Sequence, residues 1–266
     1  MVIMTRKVMF SSAFIGPNQE MQGHNYGLEV SVQGEISPIT GIIVNIKEID
    51  KIIKAHIVHD LDKKCLNRQV PALCGKPITP ESLLLYIADK LSSHLPKEVT
   101  LFALRLEETP LSYAEWHPQT PSPKKETGTM LTTRVYEFAA SHRLHSPHLS
   151  EAENKALFGK CNYTYGHGHN YLLEITIAGP VAPETGQVME TTLLDTIVHR
   201  EVVDRYDHHH FNHDIPEFQD KIPSSEVIVK VIWERLQPQF TAPVCLYRVL
   251  LRETDRNIFE YYGEEH

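Results

Sequence analysis

Lys7–Phe10 and Tyr26–Val32 carry the two-residue apolar spacing of strands, separated by the turn-rich Ile15-Gly-Pro-Asn-Gln-Glu20. Gly34 and Ser37-Pro38 end the second strand. Ile42–Val44 then leads into Lys47–Val58, where Ile49, Ile52, Ile53 and Ile57 recur at helical spacing. Pro71–Pro80 reads as a loop, and Glu81–Leu95 as a second helix with Thr79 as N-cap and Pro80 at its first position. Val99–Glu107 alternates as a strand. Residues 117–129, with three prolines and no apolar period, read as a linker. The order then returns: strands from Val135 and over 170–178, helices over Thr191–Tyr206 and Ser224–Leu236, and strands at Cys245–Arg252 and Ile258–Tyr262.

The return extends to individual residues. His24-Asn25-Tyr26 matches His169-Asn170-Tyr171 at a spacing of 145, and so do Asp62 and Asp207, Asn67 and Asn212, Pro71 and Pro216, Glu81 and Glu226, and Glu108-Thr109 and Glu253-Thr254. A constant spacing through helices and loops marks a tandem duplication of a unit of ~110–130 residues. Each unit is expected to be α+β, of order ββααββ. The register breaks before residue 22, because the second copy has a longer first hairpin and Phe10–Phe14 pairs with Phe138–His142. Residues 1–116 form the first copy and 130–266 the second.

The copies differ in chemistry. Gly159–Tyr171 reads GKCNYTYGHGHNY. His167 and His169 lie two apart on a predicted strand, so both reach one point in space. That spacing alone fits either a metal pair or two solvated strand histidines. The second copy carries His142, Cys161, His167, His169, Asp207 and His208; the first has Phe14 for His142, Gln22 for His167, Lys63 for His208, and no cysteine in its hairpin. One copy thus keeps the fold without the set, which argues for function. Three histidines without a fourth protein ligand suit a catalytic Zn²⁺ with one open position. Cys161, in a polar loop, is a candidate base or nucleophile. Asp207-His208 is either a carboxylate-oriented imidazole or an acidic helix end in a histidine-rich loop.

Composition narrows the class. The 266 residues are 41% hydrophobic, which permits two cores, and the net charge of −8 gives no support to a nucleic-acid partner. No apolar run is long enough to span a membrane, and Met1–Phe14 has no leader-like stretch, so a cytoplasmic location is expected. Four cysteines do not make a disulfide framework there, and no dinucleotide-binding glycine fingerprint occurs.

Phe138–Leu144, Leu157–Cys161, Gly166–Tyr171, Tyr206–His208, Ser224–Glu226 and Glu253–Asn257 resemble the 6-pyruvoyltetrahydropterin synthase family, which includes the 6-carboxytetrahydropterin synthases of queuosine biosynthesis. The resemblance runs with all its motifs over 133–263 and continues in degenerate form over 7–109. It implies two tunnelling-fold (T-fold) units, each an antiparallel four-stranded sheet with two helices on one face, that assemble into barrels as a homo-oligomer. It also implies zinc on His142, His167 and His169, Cys161 as catalytic base, and a relay of Asp207 and His208. Glu253 would anchor the pterin ring, with Glu226 and Ser225 in the pocket wall. The implied substrate is 7,8-dihydroneopterin triphosphate, converted with loss of triphosphate. The five residues between Cys161 and His167 resemble the pyruvoyl-forming branch. The 6-carboxy branch, a non-enzymatic pterin-binding module and a metal-storage role are the alternatives. The first copy is expected to be catalytically inactive.

Overall fold

The computed structural model describes residues 1–118 and 129–264. Most of the stretch expected to be a linker, 117–129, lies outside them. Its ends do not: His117 closes one strand and Thr129 opens another. The chain divides into two compact units, Met1–Thr133 with Ala178–Glu190, and Arg134–Ile177 with Thr191–His266. These boundaries differ from those of the sequence repeat, since 129–133 and 178–190 belong to the first unit.

In the first unit β1 (Val2–Ile15), β2 (Met21–Gly34), β3 (Val99–Thr109) and β4 (Ser112–His117) pair antiparallel in chain order. Tyr26, Leu28, Val30 and Val32 of β2 are all buried, as alternation requires. Helix α1 (Ile46–Ile53) is capped by the Asn45 side chain. It runs through a π turn at Lys54–Val58 into His59–Leu61. Helix α2 (Pro80–Ser92) starts at a capping box in which Thr79 and Ser82 satisfy each other's backbone N–H groups. The stretch read as a loop, Pro71–Pro80, begins with a single 3-10 turn at Pro71–Leu73.

The second unit takes its sheet from β5 (Thr129–His142), β6 (His167–Gly179), β7 (His209–His210), β8 (Cys245–Thr254) and β9 (Asn257–Tyr261). Its neighbours run β5-β6-β8-β9, with β7 parallel to β5. Its helices are α3 (Glu151–Phe158), α4 (Thr191–Val198) and α5 (Ser225–Leu236). A π turn at His199–Val203 carries α4 into Asp204–Tyr206. The simple order ββααββ therefore needs amending: β7, α3 and the short turns are additional, and the first long helix of each unit is interrupted by a π turn. No helix among the described residues is long and apolar enough to cross a membrane.

The duplication is visible in side chains as well as elements. Arg6 grips Asp50 with two bonds of 2.8 and 2.9 Å, and Arg134 grips Asp195 at 3.1 and 3.0 Å. Phe10 stacks on Tyr26, and Phe138 on Tyr171, each at 5.1 Å between ring centroids. Asp62 accepts from the Ser11 N–H and Asp207 from the Ala139 N–H, both at 2.8 Å. Asn67 bonds both ways with the Ile15 backbone, as Asn212 does with that of Arg143. These ties serve the fold, because both copies keep them.

Candidate metal centre and its surroundings

His142 ends β5, while His167 and His169 open β6 on one face of the strand. One ligating nitrogen from each lies within 4.8 Å of the others. His142 is buried, and its Nδ1–H donates to the Pro223 carbonyl at 2.7 Å. Its Nε2 therefore carries a bare lone pair, and it faces the Nε2 of His167 at 3.3 Å. His169 Nε2 is buried with no hydrogen-bond partner. Burial, with the neighbouring imidazoles, holds His142 below the ordinary histidine range; burial does the same for His169. Converging imidazole nitrogens, one of them buried with no hydrogen-bond partner, fit a cation. The second copy's three histidines thus make a group able to hold a metal.

Glu253, on β8, stands beside this group, with Oε1 3.8 Å from His142 Nε2 and 3.7 Å from His169 Nε2. It accepts from Ser225 Oγ at 2.7 Å and from Asn257 Nδ2 at 2.9 Å. Burial pushes its carboxyl up, but the bonds from Asn257 and Ser225, helped by the two histidines, hold it below the ordinary glutamate range. Ser225 is buried at the first position of α5, whereas Glu226 is exposed. The two residues expected in a pocket wall thus separate, and only Ser225 touches Glu253.

Cys161 is half-buried in the turn Gly159–Asn162 that follows α3. Leu144 N–H donates to its carbonyl at 2.8 Å. Burial first, and then Glu253, push the Tyr171 phenol up. Asn162 Oδ1 accepts from Arg143 at 3.1 Å and lies 3.0 Å from His145 Nδ1. No motif pointed to His145 or the Pro223 carbonyl, and Arg143, inside the motif Phe138–Leu144, had no role assigned. Asn257 lies inside a recognised motif but had no role assigned.

Asp207 Oδ2 is 2.8 Å from His208 Nδ1. The Ala139 N–H and then His208 hold the Asp207 carboxyl below its ordinary range. His208 has a left-handed backbone at φ 61°, and its exposed ring lines a shallow groove with His169, Asn170 and His210. Among the described residues no hydrogen bond or ion pair joins His208 to Cys161.

The first copy shows what replaces the metal group. The buried Phe14 ring stacks on His24 at 6.0 Å, and His24 Nε2 reaches Glu108 Oε1 at 3.6 Å. Glu81, counterpart of Glu226, is buried and accepts from Thr132 Oγ1 at 2.7 Å.

Comparison with known proteins bears on both copies. The profile of the 6-pyruvoyl tetrahydropterin synthase family matches residues 4–119 and again 131–264. The chain belongs to the 6-pyruvoyl tetrahydropterin synthase family. It comprises two units of that family in tandem. The 6-pyruvoyl tetrahydrobiopterin synthase of Drosophila melanogaster is 42% identical over 131 residues, 49% of this chain and 78% of that protein. The solved 6-pyruvoyl tetrahydropterin synthase of Caenorhabditis elegans is 37% identical, with a TM-score of 0.49, over 55% of this chain and 100% of its own. Uricase from Arthrobacter globiformis shares the fold over the whole chain, at 7% identity and a TM-score of 0.50, covering 100% of this chain and 96% of its own.

Proposed function

We propose that the chain is a zinc-dependent lyase of the 6-pyruvoyltetrahydropterin synthase type, acting on 7,8-dihydroneopterin triphosphate with release of triphosphate. The observation that carries this reading is the set of three converging imidazole nitrogens in the second copy, beside a carboxylate that two donors hold ionised. His142, His167 and His169 would hold the metal, which when bound supplies Lewis-acid polarisation of a substrate oxygen. The Glu253 carboxylate suits the guanidine-like edge of a pterin, since it accepts two parallel hydrogen bonds. Ser225 and Asn257 fix its plane for that purpose. Cys161 takes a proton from the substrate side chain, and Asp207 orients His208 for a second transfer. The exposed direction of His208 supports a site completed by a neighbouring unit in a homo-oligomer.

Residues 1–116, on this reading, are catalytically inactive and serve the assembly. Glu81 fits a structural place, because its carboxylate is spent on Thr132. The five-residue gap from Cys161 to His167 supports the pyruvoyl product over the 6-carboxy product. The test is incubation of the zinc-loaded protein with 7,8-dihydroneopterin triphosphate and identification of the product. A pyruvoyl product is expected; a 6-carboxy product with acetaldehyde would move the chain to the other branch, and no turnover would sink the enzyme reading. Cys161→Ala is expected to keep its metal and lose turnover. His167→Ala is expected to bind metal ~100-fold more weakly, measured by competition with a chelator.

A further inference from the structure

One loop occurs twice in the chain, and only one of its copies is covered. In the first copy Ser37 N–H donates to Ile42 O at 3.0 Å and Gly41 N–H to Ser37 O at 2.8 Å. At the spacing of 145, Ala182 N–H donates to Gln187 O at 2.9 Å and Gly186 N–H to Ala182 O at 2.7 Å. Gly41 and Gly186 hold the same left-handed backbone, at φ 72° and 71°. Yet Gly186 is buried in the first unit, where Thr79 Oγ1, at the N-cap of α2, donates to its carbonyl. A Cβ built on Gly186 would stand 3.2 Å from Pro77 Cβ and 3.4 Å from Ser82 Cβ. Gly41 is exposed, and a Cβ built there meets nothing within 4 Å. Ile36 and Ile42, on either side of it, are exposed as well. The beginnings of the two long first strands differ in the same way. Met130 and Leu131 are buried in the first unit, while Val2 and Ile3, their counterparts at the spacing that pairs Arg6 with Arg134, are 42% and 49% exposed.

The receiving side is duplicated too. Thr79, Glu81 and Ser82 correspond to Ser224, Glu226 and Val227 at the start of α5. Glu81 is buried and Thr79 caps its helix, but Glu226 is exposed and the Ser224 side chain makes no capping bond. Each chain therefore holds one filled pairing of loop and helix start. It also holds an unfilled loop on the first unit and an unfilled helix start on the second. We propose that these unfilled halves fill each other between two molecules of this chain: Val2, Ile3 and the loop 36–42 of one chain seat on residues 222–227 of the next. The contact is head-to-tail, so it repeats from chain to chain as a heterologous interface. It reaches the second unit's site, because the covered stretch contains Pro223, which holds His142, and Ser225, which holds Glu253. Met4 stands where Thr132 does, so the repeated contact brings no hydroxyl to Glu226 and leaves that carboxylate for a ligand. The next chain thus supplies one wall of the site.

The shared wall rests on the reading of the second unit as the lyase site; the seating does not. Full-length, metal-loaded parent and variants are compared for mass, by light scattering after size exclusion, and for turnover of 7,8-dihydroneopterin triphosphate. The parent is expected at a multiple of the 30.4 kDa chain mass. Ile36→Glu with Ile42→Glu, and separately Val227→Arg, are expected to fall to the single-chain mass, to keep their metal and to lose ~10-fold or more in turnover. Ile39→Glu is the control. Ile39 is 92% exposed, and its counterpart in the covered loop, Glu184, is exposed too, so mass and turnover are expected to equal the parent's. Gly41→Cys with Val227→Cys reproduces the 3.4 Å separation found between Gly186 and Ser82, close to that of a disulfide. Mild oxidation is expected to link chain to chain, in a ladder that a reducing agent dissolves. Peptide mapping of the linked pair sets aside the exposed Cys74 and Cys245. A parent of single-chain mass would overturn the proposal. So would the parent's mass in both disrupting variants, or a cysteine pair that links within one chain or not at all. If the disrupting variants do not fold, the cysteine pair decides. Turnover equal to the parent's in a dissociated variant would overturn the shared wall. A parent without turnover would sink the lyase reading, and mass and cross-link would still judge the seating.

Discussion

At the scale of residues, the neutrality of His142 and His169 governs both metal binding and the pH response. His142 and His169 have folded-state pKa values below the ordinary 6.5 because burial disfavours their charged forms. The unfolded chain therefore takes up protons first as pH falls. Stability is fully present above about pH 6.5 and is lost as pH drops through that value towards the lower folded-state pKa values. In the metal-free protein the denaturation midpoint of the parent, compared with that of His142→Asn, is expected to fall more steeply between about pH 7.5 and 5.5. Equal slopes would mean that His142 is not held neutral. Gly166 is the second sensitive residue. Gly166→Ala meets both a left-handed backbone and the His142 carbonyl, so a loss of ~1–3 kcal/mol is expected in chemical denaturation, with weakened metal binding. Metal affinity unchanged by Gly166→Ala would show that the loop moves without disturbing His142.

At the scale of elements, the two interrupted helices have a cause written in the sequence. Ile49, Ile53, Ile57 and Leu61 are all buried, and so are Leu194, Val198, Val202 and Tyr206. A strict period of four drifts by about 40° per step on a helix of 3.6 residues per turn. The π turns at Lys54–Val58 and His199–Val203 absorb that drift and keep every fourth residue on the core. Helical periodicity located these helices but not their interruption, because windowed matching tolerates the drift. The strands were legible because one face is buried. The fourth strand of the first unit, Ser112–His117, was not, since Ser112 and Ala114 give a weak apolar signal although both are buried. The cluster of His142, His167 and His169 could be read from the contrast between copies. The Pro223 carbonyl could not, because a backbone acceptor leaves no mark in a sequence. Phe14 and Gln22 are direct strand partners in the first hairpin. Replacing 143–166 with the Ile15–Met21 connection is therefore expected to leave a folded chain that binds metal through His142, His167 and His169 without turnover. Loss of metal in that chimera would show that the long connection, and not the strand pair, builds the site.

At the scale of the whole molecule, a chain with one metal group in two related units is expected to bind one tightly held zinc. The first unit already has His24 at the place of His169, so the double substitution Phe14→His with Gln22→His is expected to raise the stoichiometry to two per chain. Elemental analysis after dialysis measures this, and a value still at one would mean that the first unit's strands do not present the required geometry. The same comparison separates two kinds of difference between the copies. A histidine exchanged for phenylalanine or glutamine is a single-codon event that another such event restores. The connection carrying α3 and the thiol, set against the short Gly16–Glu20 turn, is a difference in chain length. Point substitution does not cross it, so metal binding is an accessible trait for the first half of this chain while proton transfer by a loop thiol lies behind a one-way step.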